Sequence, residues 1–312
     1  MTATSLRPRP AEDAPDGRTP AAASHLTVED GTRIYYELFL PEGDSGRSGT
    51  GPATSAPAVL LLMGLGANGR LWAPAVRRLL GAGYQVVAVD NRGSGRSSTP
   101  WCPWTTRTMA HDALAALDEL KIERAHVWGG SLGGMIAQEL ALEFPQRMRS
   151  LVLMSTTGGL PRLDLLPRRG LLRVVQVVLR SLRPAGDPEQ QVKEFLRFVA
   201  AEDFVAECRP GDEAWSAVSA MLEDPTTQRG VTMQFLAAAR HSSWSRLSRL
   251  TMPVQVHHGT ADSIMPFAAG EELARRIPGA RFEVHEGAGH GIFERPDELG
   301  DSILAFFAES GR

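Results

Sequence analysis

The sequence AHVWGGSLGG at residues 125–134 decides how this chain folds. Its first four residues are predicted to form a buried parallel strand, and the apolar spacing over 132–144 predicts a helix. Between them lie Gly129, Ser131 and Gly133 in the pattern G-x-S-x-G. The glycines leave room for a very tight strand-to-helix turn that presents the serine hydroxyl, and the helix N-terminus favours negative charge beside it. This context predicts that Ser131 is a nucleophile, rather than an idle serine in a small-residue turn.

Apolar runs and helical patterns alternate on both sides of this stretch. A hairpin is predicted over residues 26–40, with its turn at Asp30 and Gly31. The predicted strands that follow are 58–63, 84–89, 125–128, 150–154, 253–257 and 281–285, and the predicted helices between them are 71–80, 106–120, 132–144, 268–277 and 296–308. Such alternation builds a parallel sheet with helices on both faces, here with antiparallel strands at one edge. We therefore expect an α/β fold.

The alternation stops between residues 157 and 250, where the sequence has no strong strand runs. Helical patterns recur there, over 171–182, 189–200 and 213–222. We expect residues 157–250 to form a helical cap, inserted into a core made of residues 25–156 and 251–312. Residues 1–24 combine proline, alanine and charged residues without periodicity, and they are predicted to be disordered.

The bulk composition limits the possible functions. The chain has 312 residues, of which 43% are hydrophobic, so it can bury a full core. Its net charge of -3 lacks the basic surplus typical of nucleic-acid-binding proteins. The sequence contains no apolar run long enough to span a membrane and no secretory pattern, so we expect a cytoplasmic protein. Cys102 and Cys208 fit no metal spacing; we expect unpaired thiols, with a disulfide as the alternative.

A nucleophilic serine needs a base to take its proton, and that base needs a carboxylate to orient it. His290, flanked by glycines between the last predicted strand and helix, is the predicted base. Asp262, just beyond the predicted strand at 253–257, is the predicted carboxylate. Asp90 and Asp164 are weaker alternatives, and Asp90 fits better as the organiser of the turn after its own strand. This chemistry needs neither a metal nor an organic cofactor.

The remaining requirement is a pair of backbone N–H groups that stabilise a developing oxyanion. One donor is predicted at Leu132, directly after the nucleophile, and the other at Leu65, in the loop after the strand at 58–63. The alternative for this loop, which contains Gly64 and Gly66, is an ordinary glycine turn.

Aromatic and apolar side chains are predicted to line a substrate pocket. Trp101 and Trp104 follow the turn at Asp90, where a loop near the reactive serine is expected. His241 and Trp244 lie near the end of the predicted cap and are assigned to the same pocket. The cap contains many further apolar side chains for such a lining, among them Phe195, Phe198, Trp215, Met221, Met233 and Phe235.

Taken together, these residues resemble the α/β-hydrolase superfamily over about residues 25 to 310. The matching motifs are Met63-Gly64-Leu65-Gly66 with Trp72 downstream, DNRGSGRS at 90–97, the Ser131 motif, Gly259-Thr260-Ala261-Asp262 and Gly289-His290. The resemblance implies an eight-stranded, mostly parallel sheet with the cap inserted after strand 6. The order Ser131, Asp262, His290 along the chain is the one expected of this fold.

The loop at Met63 departs from the family pattern, because many members carry histidine there. Since the oxyanion donor is a backbone N–H, this change should not abolish the hole. The Met63-Gly64 sequence of this loop is similar to that of aclacinomycin methylesterase-like hydrolases. The surroundings of Trp72 and Arg92 resemble enol-lactone hydrolases.

A serine at the nucleophile position excludes the epoxide hydrolases and haloalkane dehalogenases of this superfamily, which use aspartate there. The resemblance implies hydrolysis of a medium to large apolar ester, lactone or thioester, and a polyketide-type small molecule is one candidate substrate. Two alternatives stay open. The same three residues could serve cyclase, lyase or acyltransferase chemistry, or the protein could be a ligand receptor without turnover. The sequence does not give the oligomeric state.

Overall fold

The protein is described by a computed structural model over residues 19–43, 55–159 and 186–311. An eight-stranded sheet forms its centre. The strands are β1 (Ala22–Thr27), β2 (Arg33–Phe39), β3 (Ala58–Leu62), β4 (Gln85–Val89), β5 (Ala125–Gly130), β6 (Met148–Met154), β7 (Val254–Gly259) and β8 (Arg281–His285).

The strand order across the sheet is β1-β2-β4-β3-β5-β6-β7-β8. β1 and β2 form an antiparallel hairpin, β2 pairs antiparallel with β4, and the other neighbouring strands are parallel. The predicted eight-stranded, mostly parallel sheet is therefore confirmed. After β3 the chain adds β4 on one side and then β5 on the other. Open α/β sheets bind ligands at the carboxyl ends of strands beside such a reversal.

The described part of the chain contains nine α-helices. They are α1 (Ala73–Gly81), α2 (Thr106–Glu119), α3 (Leu132–Glu143), α4 (Pro188–Val199), α5 (Glu202–Glu207), α6 (Glu213–Glu223), α7 (Gln228–Arg240), α8 (Phe267–Arg276) and α9 (Pro296–Glu309). The core helices start close to their predicted positions. α1 begins two residues later than predicted because Gly69–Trp72 form a 3₁₀ helix, capped by the Asn68 side chain.

The central strands are buried on both faces, as their continuous apolar runs predict. All five residues of β3 are buried. Side chains alternate along a strand, so Leu60 and Leu62 pack with side chains of α2 and α3, whereas Leu61 packs on the other face with those of α1 and α9. Helices therefore cover both faces of the sheet, as expected.

The helices α4 to α7 lie between β6 and β7 in the chain, where the cap is predicted. Residues 157–159 and 186–250 are the described part of this predicted cap. α4 and α6 match the helices predicted over 189–200 and 213–222, and α5 and α7 are additions to them. The predicted helix over 171–182 and the alternative acid Asp164 lie outside the described residues. The cap boundaries stay a prediction.

The prediction that residues 1–24 are disordered is wrong for Ala22 to Ser24, which belong to a strand. β1 begins at Ala22, because Ala22 to Ser24 pair with Tyr36 to Leu38 of β2 and complete the hairpin. A propensity argument misses these residues, since the pairing partner rather than local periodicity orders them. Residues 1–18 lie outside the described residues.

Three further predictions concern features of the whole chain. No helix in the described ranges is long and apolar enough to cross a membrane. Within those ranges, no three His, Cys, Asp or Glu side chains are placed to hold a metal ion together. Cys102 is exposed, Cys208 is buried, and both are free thiols, so the predicted unpaired state is confirmed.

Candidate active site

Ser131 lies in the turn between β5 and α3. Its backbone has φ 53° and ψ -117°, in the half of conformational space that residues with a side chain rarely adopt. The turn is held from both sides. The Ser131 N–H donates to the Met154 carbonyl at 2.8 Å, and the Ser131 carbonyl accepts from the Gly134 N–H at 3.0 Å and the Thr156 hydroxyl at 2.7 Å. These bonds sustain a strain of about 1–3 kcal/mol at this position.

Close backbone contacts explain the two glycines of the motif. A Cβ atom at Gly133 would lie 1.9 Å from the Leu62 carbonyl oxygen, and one at Gly129 would lie 2.4 Å from the Gly133 carbonyl oxygen. Both oxygens belong to the backbone of packed elements and cannot move aside. Larger residues at either position would therefore push α3 away from β3 or β5 and displace Ser131.

His290 and Asp262 meet from the loops that follow β8 and β7. The His290 Nδ1–H donates to Asp262 Oδ2 at 2.7 Å. Asp262 Oδ1 accepts the N–H groups of Ile264 and Met265 at 2.9 and 2.8 Å. Because the carboxylate accepts from Nδ1, a neutral His290 keeps its proton there and leaves Nε2 free to accept another.

The Asp262 side chain is fully buried. Burial by itself would raise the pKa of Asp262, but the charges and hydrogen bonds of His290 and His258 outweigh it and hold this pKa well below its usual range. The carboxyl is therefore ionised at neutral pH, as an orienting partner for His290 must be.

His258 is a second histidine on the same carboxylate; in the sequence it precedes the loop of Asp262 and is interpreted either as a core residue or as one that supports the acid. Its Nε2 lies 3.0 Å from the Met265 carbonyl oxygen and 3.3 Å from Asp262 Oδ2. A carbonyl oxygen can only accept, so the proton of His258 is on Nε2. His258 thus lies against the same carboxylate oxygen, Asp262 Oδ2, to which His290 donates.

The two predicted oxyanion donors both lie beside Ser131. Leu132 is the first residue of α3, where an N–H has no acceptor within the helix. Leu65 lies in the loop after β3, and a Cβ at the neighbouring Gly64 would lie 3.2 Å from Ser131 Cβ. This close approach accounts for glycine at position 64. Leu65 and Leu132 line the same cavity as Ser131.

A cap residue that the sequence did not single out positions this loop. Gln234 of α7 is completely buried, and its Oε1 accepts the Gly66 N–H at 2.9 Å. Its Nε2 donates to the Arg92 carbonyl at 3.0 Å and to the Ser94 hydroxyl at 2.6 Å. Gln234 therefore connects the cap, the loop after β3 and the turn after β4. A lone glutamine in an amphipathic helix gives no sequence signal for this function.

Ser131 and His290 line one cavity of about 390 Å³, large enough for a small organic molecule. Its walls are mainly apolar and come from both the core and the cap. Prominent members are Trp72, Trp128, Phe195, Phe198, Phe204 and Phe235. The predicted lining residues Phe195, Phe198 and Phe235 are among them, whereas Trp215, Met221 and Met233 pack elsewhere in the protein.

Four side chains are predicted to line the pocket, but none of them lines this cavity, so that prediction is wrong. They are Trp101, Trp104, His241 and Trp244. Trp101 is 82% exposed and lies under the Arg229 guanidinium. Trp104 is buried against Gly93.

The two cap residues among these four pack against the core. His241 bonds the Thr106 hydroxyl at 3.0 Å, and Trp244 packs on Gly158. The chain from α7 to β7 thus covers the face of the sheet that carries α2 and α3, rather than the cavity.

Asp90, the alternative acid, organises its own turn as predicted. Its buried carboxylate accepts the Gly69 N–H at 2.7 Å and the Arg96 N–H at 2.9 Å. Asp90 is not among the lining residues of the cavity that contains His290. Its contacts favour a structural function.

Comparison with known proteins agrees with this arrangement. The sequence profile of the alpha/beta hydrolase fold family matches residues 57–296. The chain is 32% identical over 252 residues to a Mycobacterium tuberculosis protein that carries the name non-heme bromoperoxidase BpoC, covering 80% of this chain and 93% of that protein. It is 30% identical over 285 residues to a Caulobacter vibrioides protein that carries the name carbamate hydrolase RutD, covering 91% and 98%.

A solved structure shares the fold over nearly the whole chain. The enol-lactonase from Burkholderia xenovorans superposes with a TM-score of 0.73 at 23% identity, covering 91% of this chain and 99% of that one. The family profile spans the strands and loops that carry Ser131 and Asp262 and the loop of His290. The chain therefore belongs to the alpha/beta hydrolase fold family.

Proposed function

We propose that this protein is a serine hydrolase that cleaves an ester, lactone or thioester of a medium to large apolar small molecule. One observation carries the proposal. Ser131 in its strained turn, His290 and the two proposed oxyanion donors all border a single, mainly apolar cavity, and His290 is bonded to Asp262. The membership in a hydrolase-rich family supports the reaction class, and the apolar walls support the substrate class.

In the proposed mechanism, Ser131 attacks the substrate carbonyl while His290 Nε2 takes the hydroxyl proton. Asp262 stabilises the charged imidazole and keeps it oriented. The Leu65 and Leu132 N–H groups stabilise the tetrahedral oxyanion. His290 then protonates the leaving alcohol or thiol. Water, activated by the same imidazole, cleaves the acyl-enzyme and restores Ser131.

An activity-based label tests this proposal directly. A fluorophosphonate should modify the wild-type protein at Ser131, and a panel of p-nitrophenyl esters should be hydrolysed. Ser131→Ala should abolish labelling and lower kcat by about 10⁴-fold or more, because the nucleophile is lost. Ser216→Ala, on α6 and outside the cavity lining, is the matched control and should behave as wild type.

Mass spectrometry of the labelled peptide identifies the modified residue. A folded wild-type protein that neither reacts with the label nor releases acid from any ester would refute the proposal. Labelling of Ser131 without release of acid from any ester would instead favour the cyclase, lyase or acyltransferase alternative.

A further inference from the structure

The cap contacts the loop between β8 and α9 that carries His290, which we call the His290 loop. The contact is made where α4 ends at Val199 and the chain passes through Ala200 and Ala201 before α5 begins at Glu202. At such a break the last carbonyl groups of one helix and the first N–H groups of the next have no partners within their own helices. Because Val199 and Ala200 are buried, these backbone groups need partners from elsewhere in the protein.

One contact between the His290 loop and this break is direct. The Gly291 N–H donates to the Val199 carbonyl at 2.7 Å. The packing is equally close on the other side of His290, since a Cβ at Gly289 would lie 2.8 Å from the Val199 carbonyl oxygen and from Ala200 Cα. A side chain at position 289 would push the loop away from the cap, which explains the glycine there.

The second contact is made through the carboxylate of Glu294, in the same loop. Glu294 Oε1 accepts the Gly289 N–H at 3.1 Å and the Ala201 N–H of the cap at 2.5 Å. In the described part of the chain, the other carboxylate oxygen, Oε2, is buried without a hydrogen-bond partner. The hydrogen bonds of this side chain therefore connect the His290 loop with the cap.

These contacts lie at the wall of the cavity. Val199, His290 and Gly291 all line the cavity that contains Ser131. The bond to Asp262 orients the imidazole ring of His290, but the position of the ring also depends on the backbone of its loop. Since a misplacement of about 1 Å can cost about 100-fold in rate, the bonds that hold this loop matter for catalysis.

We infer that Glu294 is a positioning residue, which joins the His290 loop to the cap and so holds the imidazole in place beside Ser131. Glu294 is not among the described residues that line the cavity, so it acts through His290 rather than on a substrate. The effect on turnover rests on the proposed function, whereas the connection between the cap and the loop does not.

Two substitutions of Glu294 separate its hydrogen bonds from the stability of the fold. Glu294→Ala removes the acceptor of both N–H groups, and kcat for p-nitrophenyl acetate should fall by about 10-fold to 100-fold, with a smaller change in KM. In Glu294→Gln the two N–H groups keep the amide oxygen at the Oε1 position, so kcat should stay within about threefold of wild type. Its NH₂ group is then buried without an acceptor, so this variant should nevertheless have a lower Tm. Glu309→Ala, which removes an exposed carboxylate on α9, is the control and should leave kcat unchanged.

The same connection can be broken from the cap. Ala201 has φ -69°, which proline also adopts, and Ala200 has the extended conformation that suits the residue before proline. Ala201→Pro therefore keeps the backbone, removes the N–H and puts the proline ring where Glu294 Oε1 lies. It should lower kcat by about 10-fold to 100-fold, as Glu294→Ala does. Glu202→Pro is the matched control and should behave as wild type, because proline is favoured at the first position of a helix.

A double-mutant cycle tests whether the two residues act as one connection. In Glu294→Ala the bond is already lost, so adding Ala201→Pro should lower kcat by less than about twofold more. Losses that multiply in full would show that the two residues act separately and would overturn the inference. A kcat for Glu294→Gln as low as that of Glu294→Ala would overturn it too.

Hydrogen exchange provides a readout that does not depend on hydrolysis. Mass spectrometry of the peptide over residues 287–295 should show exchange about tenfold faster in Ala201→Pro than in wild type, although the substitution lies in the cap, and no change in Glu202→Pro. If no ester is cleaved but this exchange increases, the connection stands and the proposed function falls. If esters are cleaved, but neither kcat nor this exchange changes in Ala201→Pro and Glu294→Ala, the inference is overturned.

Discussion

The carboxyl edge of the sheet and the cap contribute to the candidate active site in different ways. At the sheet edge, backbone contacts too close for any side chain fix the positions, as at Gly129 and Gly133. The cap instead adds apolar rings to the cavity and is tied to the edge by a few polar side chains, such as Gln234. The difference teaches that the groups proposed for chemistry are set by the core, while the space for a substrate is shaped jointly with the cap.

The largest effect should come from breaking the sheet edge at Asp262. In Asp262→Asn, the Ile264 and Met265 N–H groups keep the amide oxygen at the Oδ1 position, so the NH₂ group faces His290 Nδ1. Nδ1 must then accept, the proton moves to Nε2, and His290 can no longer take the Ser131 proton. We expect kcat to fall by about 10⁴-fold in the ester assay, with the fold intact.

Circular dichroism and thermal melting provide the check that Asp262→Asn is folded. Asp118→Asn, which removes an exposed carboxylate on α2, is the control and should leave kcat unchanged. A rate for Asp262→Asn close to wild type would mean that His290 does not depend on Asp262 for its orientation and would contradict this assignment.

A smaller loss of activity should follow when the connection between the cap and the carboxyl edge of the sheet is weakened. Gln234→Ala removes the acceptor of the Gly66 N–H and leaves the Arg92 carbonyl and Ser94 hydroxyl without this donor. The loop that carries the Leu65 N–H should then lose its position, and kcat should fall by about 10-fold to 100-fold, within the cost of one misplaced oxyanion donor. Steady-state kinetics on a short ester measure this, since a short chain depends least on the rest of the cavity.

Gln228→Ala on the same helix α7 is the control, because Gln228 is exposed. KM should change less than kcat if Gln234 acts through the loop that carries the Leu65 N–H. An unchanged kcat, or a change in KM alone, would show that Gln234 only holds the cap.

The smallest effect on activity, but a clear one on stability, is expected where the end of the cap joins α3. Glu139 of α3 accepts two bonds from Arg246, at 2.8 and 2.7 Å, and lies 3.4 Å from His241. Burial would raise the pKa of Glu139, but His241 and Arg246 outweigh it and lower this pKa to about 2. A lowered folded-state pKa contributes stability that is fully present above the usual pKa of 4.5 and is lost as the pH falls toward 2.

Glu139→Gln should therefore lower the free energy of unfolding by about 2 kcal/mol at pH 7, and the difference from wild type should shrink between pH 4.5 and pH 2. Urea unfolding at a series of pH values measures it. Glu143→Gln, in a more exposed pair with Arg107, is the comparison and should cost about 1 kcal/mol or less. A difference for Glu139→Gln that does not change with pH would contradict the assignment.

Most of the sheet edge could be predicted from sequence, because local patterns encode it. The strand-to-helix turn at Ser131 requires glycines at fixed offsets, and the loops of Asp262 and His290 each follow a strand that the sequence predicts. The β1 start at Ala22 was missed because pairing with β2, not periodicity, orders those residues.

The cavity was much harder to predict. Trp101 and Trp104 follow the turn after β4 in sequence, yet one is exposed and the other packs on Gly93. Phe204 lines the cavity although nothing in its local sequence separates it from an ordinary core residue. Which face of a helix borders a cavity depends on how separate helices pack, and no local pattern carries that information.

The sequence by itself determined the fold class and the order of the strands along the chain, and it singled out Ser131, Asp262 and His290 as the candidate site residues. Those features depend on backbone geometry and on periods of a few residues, which local sequence specifies. Only the tertiary structure decided that His258 shares the Asp262 carboxylate and that Gln234 bonds the loop after β3. Each of these joins residues far apart in the chain, so their meeting is a property of packing.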